Sequence, residues 1–81
     1  MRAEYYRIEG MMEVEPTLKQ AKVTAKKYVQ ELEKEDNTTL SNEELEDVYI
    51  TGINKGETTS LTAIVRKKNG TVGFGRTFKV N

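Results

Sequence analysis

Between Ala3 and Val14 the chain alternates as a pleated strand does. Tyr6, Ile8, Met12 and Val14 fall on one side with Gly10 in their row, and Tyr5, Arg7, Glu9, Met11 and Glu13 on the other. A period of two predicts a half-buried first strand, because successive strand side chains point to opposite faces. The period changes after Pro16. Leu18, Ala21, Ala25, Tyr28, Val29 and Leu32 share one helical stripe, while Val23 lies opposite. This predicts an amphipathic helix ending near Glu35 and laid on one face of a sheet. Thr17 and Gln20 have the spacing of a capping box at its start.

Residues 36–46, DNTTLSNEELE, connect the helix to a second strand over roughly Asp47–Ile53. Ser41 and Glu44 repeat the capping-box spacing, which predicts a helical turn around Asn42–Glu46. Val48 with Ile50 and Tyr49 with Ile53 make both faces of the second strand apolar, so its inner face stays open. Asn54, Lys55 and Gly56 read as a turn. Asn69–Gly70 predicts a two-residue type I′ hairpin, whose loop positions both need positive φ. That loop pairs Lys67 with Val72, Val65 with Phe74, Leu61 with Phe78 and Thr59 with Val80, an inner face that also holds Ala63. The outer face then holds Ser60, Thr62, Ile64 and Arg66 opposite Lys79, Thr77, Gly75 and Gly73. Arg76 falls on the inner face against Ala63. An arginine extending past the sheet, or a bulge at Gly73 or Gly75, accounts for it structurally; a guanidinium set to bind an anion is the functional alternative.

These elements predict one α+β domain over residues 1–81, a two-layer sandwich in β-α-β-β-β order. One long helix packs on a four-stranded, mainly antiparallel sheet. Two strand orders are open. A right-handed crossover sets the first strand parallel beside the second; a reversal within the connector sets it antiparallel beside the fourth.

The chain has no Cys and no His. That removes disulfides, thiolate and imidazole zinc sites, and Ser–His or Cys–His nucleophiles. Glu9 and Glu13 share a strand face and read as solvated rather than as an acid–base pair. The expectation is a non-enzyme with neither cofactor nor metal. No segment approaches the ~20 apolar residues of a membrane span, and charges interrupt MRAEYYRIEG where a signal peptide would be apolar. Cytoplasmic residence without membrane association is expected.

Charge changes the picture through its distribution. Thirteen bases balance thirteen acids, but residues 36–47 carry five acids and no base, and residues 48–81 carry six bases and one acid. The leading expectation is a module that binds a protein partner or forms a homo-oligomer through the open sheet face or an edge. Ile64, Arg66, Lys67, Lys68, Gly73, Gly75 and Lys79 are its candidate residues. Tyr5, Met11 and Val23 join Ile64 as apolar residues on faces expected to be exposed. The alternative is nucleic-acid binding by Arg66, Lys67, Lys68 and Lys79 on a glycine-flattened sheet. Gly73–Phe74–Gly75 invites comparison with the aromatic octapeptide of RNA-recognition-motif domains, but Arg76 and Lys79 stand where further aromatics belong. Lys19, Lys22 and Lys26 share a polar side of the helix. They mark a site for an anionic ligand or acidic partner, unless glutamates of the first strand or the acidic connector satisfy them.

Overall fold

The long alternating segment at the start of the chain is broken by a turn. In the computed structural model, which describes residues 3–80, Met11 N–H bonds to Ile8 O at 3.0 Å and Gly10 has φ +95°. Glycine at the third position of such a turn matches type II geometry. The positive φ disfavours any side chain at Gly10, and a Cβ there would also lie 2.6 Å from the Tyr28 hydroxyl, which would have to shift. The segment therefore forms two strands, β1 (Tyr5–Ile8) and β2 (Val14–Glu15), folded antiparallel on each other. Tyr6 and Ile8 face the core as expected. Met12 and Val14, expected with them, are 99% and 49% exposed because the turn lifts them off that row.

Helix α1 (Leu18–Asp36) begins at Thr17, whose hydroxyl accepts the Gln20 N–H at 3.1 Å. It ends at Asn37 in the left-handed region, with Thr38 N–H bonded to Glu33 O at 3.0 Å; together these make a Schellman-type C-terminus. Ala21, Ala25 and Val29 are fully buried at successive turns, and Val23 is solvent-facing. Small alanines let the helix approach the sheet closely. The connector contains the expected turn as α2 (Asn42–Leu45), with both bonds of the Ser41–Glu44 capping box made. Leu45 and Val48 then close one end of the core.

Strands β3 (Ile50–Asn54), β4 (Glu57–Arg66) and β5 (Val72–Lys79) complete a meander. Among the described residues the sheet has five strands, all antiparallel, in the order β2-β1-β3-β4-β5. The same feature corrects the expected strand count of four. The first strand, β1, lies beside the expected second, β3, as one expected order had it, but antiparallel rather than parallel, and it is not beside the last strand. Because β1 turns back on itself, β2 rather than β1 feeds the helix. β2 and β3 run parallel with β1 between them, since each is antiparallel to β1.

The last hairpin departs by one residue. Gly70 has φ +88° and Asn69 is not in the positive-φ region, while Lys67 N–H bonds to Thr71 O at 2.8 Å and Gly70 N–H to Lys67 O at 2.9 Å. This is a three-residue loop with a glycine bulge, not a type I′ turn. Near the turn Ile64 therefore opposes Phe74 and Val65 opposes Gly73. A bulge at Gly75–Arg76 restores the expected pairing further on, with Leu61 opposite Phe78. The bulge also explains why Arg76 fits no alternation.

The inner face of β4 is the one expected to be outer. Ile8, Ile50 and Thr62 form a row across β1, β3 and β4, and all three are buried. Thr62 satisfies its hydroxyl on Thr77 Oγ1 at 2.8 Å. Ile64 belongs to the core at 1% exposure, with Phe74 and Val72 packed against it. Leu61, Ala63 and Val65 consequently face away from α1.

Candidate functional site

α1 covers one sheet face, and the side chains of the other face point away from it. Val14, Arg7, Thr51, Leu61 and Phe78 stand in register across all five strands. Tyr5 and Ile53 form the neighbouring pair, with Ala63 and Val65 further along β4. Ile53 is nearly enclosed yet lies outside the main core cluster, so its neighbours on this face shield it. Phe78 stays 56% exposed. The result is an apolar strip of Tyr5, Ile53, Leu61, Ala63, Val65 and Phe78 with no second layer. Arg7 borders it, 3.7 Å from Glu9.

Several expected surface residues are elsewhere. Ile64 is core, not open face. Arg66 also points to the helix side, where its Nη2 donates to Glu33 Oε2 of α1 and to Leu40 O at 3.1 Å, and its Nη1 donates to Gly70 O at 3.0 Å. Both side chains of this ion pair are only 19% exposed. The physical reason is common to both residues: the one-residue difference in the turn and the cross-strand row set by Ile8 and Ile50 place the even-numbered positions of β4 under the helix. Gly73 does lie on the open side but is buried, because the Lys67 stem lies where its Cβ would be. It seats a lysine rather than flattening the sheet for a phosphate. Gly75 is exposed beside Ala63 at the bulge, and Lys67, Lys68 and Lys79 are exposed.

Lys19, Lys22 and Lys26 are brought beside β5. Lys22 Nζ sits 5.5 Å from the Phe74 ring centroid, a cation–π distance. A groove of about 280 Å³ between the helix and the strand is lined by Lys19, Lys22, Val23, Lys26 and Phe74. Among the described residues, the three lysines make no ion pair with the first-strand glutamates or the connector. Glu15 instead accepts the Thr24 hydroxyl at 2.6 Å.

That half-buried Leu61 and Val65 and exposed Phe78 face away from α1 was not distinguishable from alternation alone. The row through Ile8 and Ile50 decides which side of β4 is inward, and that row needs the β1–β3 pairing. Among the described residues there is no group of three or more acidic side chains disposed to hold a metal ion, and no helix long and apolar enough to cross a membrane. A recess of about 430 Å³ at the β3–β4 turn is lined by Asn54, Lys55, Glu57, Thr58, Thr59, Lys79 and Val80. Protein-family models, curated proteins and solved structures all give no match to this chain.

Proposed function

We propose that this domain is a small non-catalytic interaction module that binds a protein partner, or a second copy of itself, through the sheet face α1 leaves open. The observation that supports this is the apolar strip of half-buried Tyr5, Leu61, Ala63 and Val65 around exposed Phe78, on the face α1 does not cover. Apolar surface gains about 25 cal/mol per Å² when water is removed from it, and contiguous apolar patches on small proteins commonly mark contact sites. The absence of His and Cys from the sequence favours a non-catalytic role.

Sedimentation equilibrium and retention of partners on the immobilised domain test the reading. Self-association or a retained partner is expected, weakened about tenfold by Phe78→Ser, as for truncation of a central interface aromatic. A strict monomer that retains no partner, or an association indifferent to Phe78→Ser, counts against it. Nucleic-acid binding by the basic hairpin has weaker support, since Arg66 is engaged with Glu33 and only Lys67, Lys68 and Lys79 of that group are exposed.

A further inference from the structure

Among the described residues β5 is the last strand on its side of the sheet, and one of its edges is unpaired. Lys67 N–H bonds to Thr71 O at 2.8 Å and Val80 N–H to Thr59 O at 2.9 Å. Bonded and non-bonded pairs alternate along an antiparallel ladder. The opposed pairs Arg66–Val72, Ile64–Phe74, Thr62–Thr77 and Ser60–Lys79 are then the non-bonded ones. Main-chain groups of Val72, Phe74, Thr77 and Lys79 thus turn from β4 toward the free edge. The side chains of Val72 and Phe74 lie on the α1 side, packed against the core. Beside that edge stands a wall of three lysines, Lys19, Lys22 and Lys26, which make no ion pair among the described residues, over an apolar floor that Lys22 touches at the Phe74 ring. Glu33, the carboxylate at one end of this flank, is engaged with Arg66.

The geometry points to strand addition at this edge: an extended acidic segment of a partner protein pairs with β5 and lays alternate carboxylates against Lys19, Lys22 and Lys26. A strand supplies the missing main-chain partners, and its side chains on one face recur about every 6.8 Å. Lys22 and Lys26 are about one helical turn apart, ~6 Å along the axis, so acidic residues at every second position meet successive lysines. A second copy's β5 fits poorly, because it carries Arg76 and Lys79 and no carboxylate to set against the three lysines. A nucleic acid matches the charge but offers no strand to pair. The inference is independent of the open-face reading, which concerns the other side of the sheet.

A fluorescein-labelled peptide of alternating Glu and Val tests it, by anisotropy at low salt and by amide shifts of the ¹⁵N-labelled full chain. Saturable binding is expected, with shifts centred on Val72, Phe74, Thr77 and Lys79. Lys22→Glu with Lys26→Glu should weaken binding about tenfold or more. Thr77→Pro, which removes one outward N–H from an edge strand, should weaken it comparably. If losing the Thr62–Thr77 hydroxyl contact unfolds that variant, Lys79→Pro at the strand end replaces it. Three results overturn the inference. One is no saturation up to about 1 mM peptide; another is shifts centred on Leu61 and Val65. The third is binding indifferent to proline and matched by a thymidine oligonucleotide, which would be polyanion adsorption without strand pairing.

Discussion

Arg66 is the residue through which the most elements meet. Its main-chain N–H bonds to Asn42 Oδ1 at 2.7 Å, and its guanidinium reaches Glu33, Leu40 and Gly70. Glu33 Oε2 in turn accepts the Leu40 N–H at 2.8 Å. One ion pair thus fastens the end of β4 to α1, the connector and the β5 turn. Arg66 Nε is buried without a partner among the described residues, so the site already carries a desolvation cost. Removing one member leaves the other charge poorly solvated, which costs more than an exposed pair would. Glu33→Gln should therefore destabilise the domain by about 2–3 kcal/mol in urea unfolding. Arg66→Met keeps the aliphatic stem and should cost about 1–2 kcal/mol less than the sum of losses predicts when both changes are combined. A coupling energy near zero would mean that the pair behaves as a surface contact.

At the scale of elements, α2 is short but is anchored from both sides. Its capping box fixes the start, and Leu45 is fully buried at its end beside Val48. The two anchors differ in size. Ser41→Ala should cost about 1 kcal/mol, the value of a lost cap, and Leu45→Ala about 2–4 kcal/mol, because a cavity opens in the core. Parallel urea melts check the ranking; an equal cost would show that α2 is held by its cap and not by packing. The start of this element and the start of α1 were legible in the sequence because Ser41–Glu44 and Thr17–Gln20 encode local bonds. The helix stripe was legible for the same reason, since Ala21, Ala25 and Val29 repeat at its own period. Gly10 sat within an unbroken alternation, so the turn that separates β1 from β2 left no local mark. Asn69–Gly70 announced a hairpin but not the loop length, and one residue there exchanges the faces of every side chain near the turn. Lys19, Lys22 and Lys26 share one side of α1 by helical period and line one groove. Their approach to β5 depends on tertiary packing, as does the inward turn of Ile64 and Arg66.

On the whole molecule, the charge segregation seen along the chain is partly undone by folding. The basic tip at Lys67 and Lys68 follows Arg66, whose N–H is bonded to Asn42 of α2. Glu43, Glu44 and Glu46 are exposed on and beside that helical turn. The acidic connector is thereby folded against the base of the basic hairpin. Within a Debye length of about 10 Å at 0.1 M salt, opposite fields of this kind offset each other. Lys67, Lys68 and Lys79 together provide at most about three phosphate contacts, for which a single strand gives a log–log salt slope near −2. A thymidine oligonucleotide should show no saturable binding to the native domain at about 50 mM salt. Glu43→Gln with Glu46→Gln leaves the capping pair Ser41–Glu44 intact and removes two opposing charges. That variant should gain weak binding that vanishes as salt rises. Anisotropy titrations at several salt concentrations compare the two proteins directly. A native domain that already binds with a slope steeper than about −2 would identify the hairpin as a nucleic-acid surface. Without that slope, the connector acts as a local counter-charge, leaving the basic flank by α1, which it does not pair, as the stronger site for an acidic partner.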